Sequence, residues 1–116
     1  MISHVVLFRP RATLTEAERE ALIAALQHAV SGIPTIRRAT IGMRTLLNRP
    51  GYETQMAEHY EYAAILEFDS EADLRLYLDH PAHVDLGRRL FTAAEAVLAY
   101  DFTSVDPGSL RAGTLA

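Results

Sequence analysis

The stretch LYLDHPAHVDLG, residues 76–87, concentrates side chains able to move a proton. His80 and His83 bracket Pro81, and Tyr77 stands three residues before the first of them. Histidine titrates near neutrality and suits the removal of an acidic α-proton. A tyrosine hydroxyl can donate to the oxyanion that then develops. His4, near the start of the chain, is a third candidate, whereas His28 and His59 have no partner pattern.

Three readings compete for this cluster. A metal site needs three or four converging ligands, and Pro81 breaks the backbone between the two histidines, so no metal is expected. A catalytic site needs Tyr77, His83 and His4 to converge on one space. The structural reading gives Pro81 the turn, His80 a helix cap, Tyr77 a packing role and His83 a backbone carbonyl. Spacing alone favours the structural reading, since buried polar groups are normally satisfied within the fold.

Composition removes several classes. The 116 residues carry a formal net charge of −4, and the only basic clusters are pairs such as Arg37-Arg38 and Arg88-Arg89, which argues against a nucleic-acid footprint. The chain has no cysteine, so disulfides, thiolate zinc sites and cysteine nucleophiles are out. No apolar run approaches the roughly 18 residues of a membrane span, and the first residues do not read as a signal peptide. A cytoplasmic protein is expected. The Gly-rich, GxSxG and HExxH motifs are absent.

The elements that must position the cluster follow from periodicity. Residues 2–8 read as a buried strand with Ile2, His4, Val6 and Phe8 on one face. Thr13 with Glu16, or Thr15 with Glu18, has capping-box spacing and opens a helix over about 15–31, with Leu22, Leu26, Ala29 and Val30 on one stripe. Residues 36–47 alternate as a half-exposed strand, 48–58 form a long connection, and 60–68 a third strand with Tyr60, Tyr62, Ala64, Leu66 and Phe68 together. Ser70 opens a short helix, Pro81 suits the first turn of another, and 97–104 are the last strand. The tail 105–116 reads as loose. One domain, 1–104, is expected, with the order β-α-β-β-α-β: a ferredoxin-like α+β fold, one antiparallel sheet with helices on one face. Tyr77, His83 and His4 would then face an apolar wall of Val6, Phe8, Leu22, Leu26, Ala64 and Leu66, which suits a small apolar ligand.

The other sheet face is expected to carry Val5, Leu7, Ala63, Ile65, Val97 and Ala99 beside Ser3, Glu61 and Glu67. An apolar patch of that size marks an interface, and a second copy packed face to face is the simplest cover.

The residues MISHVVLF at the start, Gly32-Ile33-Pro34, Glu67-Phe68, Tyr77-Leu78-Asp79-His80-Pro81-Ala82-His83 and Tyr100-Asp101-Phe102 together resemble the stress-responsive A/B barrel (Dabb) family over roughly residues 1–103. The resemblance implies a homodimeric α+β barrel. That family includes a plant polyketide cyclase that closes a linear chain by an aldol step without cofactor or metal. Its tyrosine, histidine and first-strand histidine correspond to Tyr77, His83 and His4, and its pocket aromatics to Leu22, Ile23 and Leu26. The resemblance thus implies His83 as base, Tyr77 as oxyanion donor and His4 as the group that orients them. A polyketide-like ligand, a non-catalytic apolar-ligand module and a stress-related dimer without ligand all remain open.

Overall fold

The computed structural model describes residues 1–115; Ala116, the last residue of the expected tail, lies outside them. Strand β1 spans Ile2–Pro10, helix α1 Glu16–Gly32, β2 Arg38–Met43, β3 Tyr62–Phe68, α2 Glu71–Asp79, α3 Pro81–Ala93 and β4 Ala94–Thr103. The four strands form one antiparallel sheet in the order β2-β3-β1-β4. All three helices lie on one face, giving the ferredoxin-like α+β arrangement.

Local chemistry sets the helix ends. Thr15 caps α1: its side chain accepts from the Glu18 N–H, and Glu18 accepts in return from the Thr15 N–H. The alternative Thr13–Glu16 box does not form. Ser70 accepts from the Asp73 N–H to start α2. His80 ends α2 and also begins α3, its Nδ1 accepting from the Ala82 N–H at 3.0 Å. Pro81 occupies the first turn, where its missing N–H costs nothing.

The main core lies between helices and sheet and joins Ala25, Ala29, Ile33, Leu66, Phe68, Leu74, Tyr77, Ala82 and Leu86. A smaller cluster, Phe8, Leu14 and Ala93, fills the other end. Leu22 touches both.

Strand β4 corrects the sequence reading. It follows α3 directly at Ala94, with no loop, rather than starting at 97. Its register pairs Val97 with Phe8 and Ala99 with Val6, so both face the helices. The open face carries Leu98, Tyr100 and Phe102 instead, opposite Leu7, Val5 and Ser3. Both faces of VLAYDF are apolar, so alternation alone does not choose between them. The second strand is shorter than 36–47, since pairing with β3 stops at Met43. Within the long connection, Glu53–Gln55 makes one 3-10 turn. Residues 105–115 are exposed and hold two short 3-10 turns. Among the described residues, no helix is long and apolar enough to cross a membrane.

Candidate active site

Three elements bring Tyr77, His83 and His4 together. Tyr77 is in the last turns of α2, His83 in the first turn of α3, and His4 on the helix-facing side of β1. The Tyr77 ring centroid lies 4.5 Å from that of His83 and 5.7 Å from that of His4. Phe68 backs the tyrosine at 5.2 Å. Tyr77 is 2% exposed and His4 6%, while His83 is half-buried. The break at Pro81 thus turns His83 back onto the helix that carries Tyr77. His80 is absorbed by its capping role.

Each histidine is fixed through one nitrogen. His83 Nδ1 lies 3.0 Å from the Leu78 carbonyl oxygen, which can only accept, so Nδ1 carries the proton and a neutral ring keeps its lone pair on Nε2. His4 Nδ1 lies 2.6 Å from Asp101 Oδ1, so it donates to the carboxylate. Burial pushes the His83 pKa down; the bond to Leu78 opposes this, and the nearby His4 adds to the lowering. His83 is therefore neutral at pH 7 and able to accept a proton. Burial raises the Tyr77 hydroxyl to about 12, which keeps it a donor.

The remaining polar atoms of the three rings are unpaired. Among the described residues, neither the Tyr77 hydroxyl nor Nε2 of His4 or His83 has a hydrogen-bond partner within the protein. The fully enclosed side-chain atoms without a partner are Arg9 Nε, Thr35 Oγ1 and Glu61 Oε2, so the three ring atoms each keep some surface open.

The expected apolar wall is gathered only in part. Val6 pairs with Ala64 two residues along from the His4–Leu66 pair, and Leu22 and Leu26 pack from α1. Phe8 belongs to the second cluster. Ile23 does not reach the site: it is 52% exposed, because it falls off the helical stripe marked by Ala25 and Ala29. Two recesses open elsewhere on the surface, one between α1 and α3 and one on the opposite sheet face, and Tyr77 lines neither. No three His, Asp or Glu side chains cluster as metal ligands do among the described residues.

Asp101 and the Leu78 carbonyl are the site members that spacing did not find. The Tyr100-Asp101-Phe102 triplet marks the first in sequence. Only the β1–β4 register puts Asp101 opposite His4. The second is a backbone group and leaves no trace in residue types.

Fold and cluster together define a ferredoxin-like α+β protein with a tyrosine and two histidines between helices and sheet. The chain belongs to the stress responsive A/B barrel domain family, which matches residues 2–104. It is similar to olivetolic acid cyclase from Cannabis sativa, 24% identical over 102 residues, covering 88% of this chain and 95% of the cyclase. A dimeric ferredoxin-like protein of unknown function from Thermobifida fusca superposes with a TM-score of 0.69 at 27% identity, covering 89% of this chain and 90% of the other. The hydroxynitrile lyase from Passiflora edulis shares the fold at a TM-score of 0.71 and 18% identity, covering 91% and 96%.

Proposed function

We propose that this chain is a homodimer, joined through the open sheet face, that catalyses cofactor-free proton transfer on a small polyketide-like or other 1,3-dicarbonyl substrate. One observation carries the reading: three adjacent rings each leave one polar atom unbonded to the protein, in a fold where buried polar groups normally pair.

The roles follow from the tautomers. His83 Nε2 takes a proton from the carbon between two carbonyls. Tyr77 keeps its proton and donates a hydrogen bond to the enolate oxygen so formed. The enolate carbon attacks a second carbonyl of the same molecule, making the carbon–carbon bond. The His83 imidazolium returns its proton to the new alkoxide, so the ring ends neutral. His4, held by Asp101, orients the substrate or His83. Val6, Ala64, Leu22 and Leu26 bound the apolar part.

A second reading is a non-catalytic dimer, with or without an apolar ligand. The close packing of Tyr77 inside the main core favours it. Incubating the protein with linear poly-β-ketoacyl thioesters and with simpler 1,3-dicarbonyl compounds, and following product by mass spectrometry, separates the two. The catalytic reading expects turnover of at least one class. Absence of turnover with both leaves the second reading.

A further inference from the structure

A recess of about 280 Å³ opens between the start of α1 and the end of α3, on the helix layer rather than on the open sheet face. His83 lies in the first turn of α3 and Ala93 is its last residue, about 15 Å apart along the axis at about 1.5 Å per residue. The recess is therefore separate from the cluster of three rings. Its floor is apolar: Leu14 and Ala93 are buried and Ala21 is half-buried. Glu18 stands on the α1 wall, and Arg88 and Arg89 on the α3 wall. The volume is just under the roughly 300–1,000 Å³ of sites for drug-sized molecules, so an occupant is small.

The charges on the two walls decide what kind of occupant fits. On the α1 wall they cancel. Glu18 accepts from the Thr15 N–H at 2.9 Å and from Arg11 Nη2 at 3.2 Å. The Thr15 N–H first, and Arg11 after it, hold the Glu18 carboxyl below its usual range, so it stays ionised beside the arginine. Arg11 is engaged in turn, its Nε donating to the Thr92 carbonyl at 2.8 Å and its Nη1 to Thr13 Oγ1 at 3.4 Å. On the α3 wall the charges do not cancel. Asp85 is shared by two guanidiniums, with Arg88 Nη2 at 2.7 Å from one oxygen and Arg89 Nε at 3.0 Å from the other. Two positive charges set against one negative charge leave one positive charge over.

Donors are left over as well. A guanidinium carries five N–H groups. Arg88 and Arg89 each spend one on Asp85, and among the described residues neither has another acceptor. No ion pair crosses the recess: Glu18 pairs with Arg11, while Arg88 and Arg89 pair along their own helix. Opposite charges thus face each other over an apolar floor without closing on it. Asp85 also pins both arginines, which lowers the cost of ordering them around a ligand.

We propose that the α1–α3 recess binds a small carboxylate with an apolar body, its head on Arg88 and Arg89 and its body on Leu14, Ala21 and Ala93. A carboxylate matches the guanidinium fork with two parallel N–H···O bonds, and its single charge balances the surplus. A neutral molecule of the same shape leaves the fork unused. The occupant touches α1 and α3 at once, the helices that also carry Leu22 and His83.

Amide NMR tests this, with sodium hexanoate as the probe and hexanol as its neutral counterpart. Hexanoate is expected to give saturable shifts at Leu14, Ala21, Thr92 and Ala93, and added salt should weaken them. Hexanol should bind about tenfold more weakly or less. The double variant Arg88→Gln, Arg89→Gln should lose about tenfold or more in hexanoate affinity and nothing for hexanol, with circular dichroism reporting the fold. Ala21→Leu, which fills the floor, should weaken both probes. Tyr77→Phe and His83→Ala should leave these shifts unchanged, which separates this site from the one proposed above. Shifts confined to residues around His83, equal affinity for the two probes, or hexanoate binding untouched by the arginine variant would overturn the proposal. Tighter binding of hexyl phosphate than of hexanoate would overturn the assignment of the head group.

Discussion

His4 Nδ1 and Asp101 Oδ1 lie 2.6 Å apart across neighbouring strands, although 97 residues separate them in the chain. The carboxylate fixes which histidine nitrogen faces the site. Asp101 is 45% exposed, so solvent screening limits its contribution to the fold to at most about 1 kcal/mol. Asp101→Ala is therefore expected to shift the melting temperature little. It should lower turnover by about ten- to a hundredfold, the range typical of losing a group that orients a histidine. Asp101→Asn keeps an acceptor for Nδ1–H and should recover part of the loss. Equal activity in all three proteins would make the pair purely structural.

Tyr77→Phe and His83→Ala should behave differently in thermal melts. The Tyr77 hydroxyl has no partner in the protein, so its removal breaks no hydrogen bond. The phenylalanine variant should melt at or slightly above the wild type, since an unpaired polar group in a core costs free energy. His83→Ala loses the bond to Leu78 and should cost about 1 kcal/mol. Losses of several kcal/mol for His83→Ala would assign that ring to holding the helix break together.

The pH dependence follows from two shifts of opposite sense. His83 is lowered from 6.5, mainly by burial, so the unfolded chain takes up the proton first as pH falls. The associated stability is complete above pH 6.5 and is lost as pH drops through the folded value. The acidic limb of the rate profile should accordingly lie below 6.5, and His83→Ala should abolish it. Tyr77 is raised from 10.0 to about 12, so its contribution is complete below pH 10 and disappears between there and 12. Urea midpoints measured across both windows check each sign. A rate profile whose acidic limb lies above 6.5 would exclude His83 as the base.

His80 serves the backbone. As the residue between α2 and α3, it accepts from the Ala82 N–H. His80→Ala should cost about 1 kcal/mol, the usual loss for a helix cap, and His80→Asn should restore most of it. Neither change should alter the acidic limb of the rate profile. A large activity loss in a folded His80→Asn protein would place His80 in the chemistry.

Much of this arrangement is legible in the residue order because its causes are local. Thr15 with Glu18, Ser70 with Asp73, and Pro81 each set a helix start through contacts within a few residues. The alternation in β3 places Leu66 on the helix side because Glu61 and Glu67 occupy the other face, and pairing of β1 with β3 then puts His4 beside Leu66. β4 lacks that contrast, so Val97 and Ala99 are assigned to the wrong face by pattern alone. Ile23 is apolar, yet one helical step from the buried stripe turns it to solvent. Asp101 is hidden for another reason. Its partner is fixed by a non-local strand register, which no spacing within the chain encodes.

The most direct test of the account is the rate of carbon–carbon bond formation on a linear poly-β-ketoacyl thioester by wild type, Tyr77→Phe and His83→Ala, each confirmed folded by its melt. The account predicts acceleration by the wild type, a loss of about 10²–10³ for Tyr77→Phe as an oxyanion donor, and about 10²–10⁴ for His83→Ala as a general base. Wild-type rates equal to the uncatalysed reaction, or variants as fast as the wild type, would contradict it.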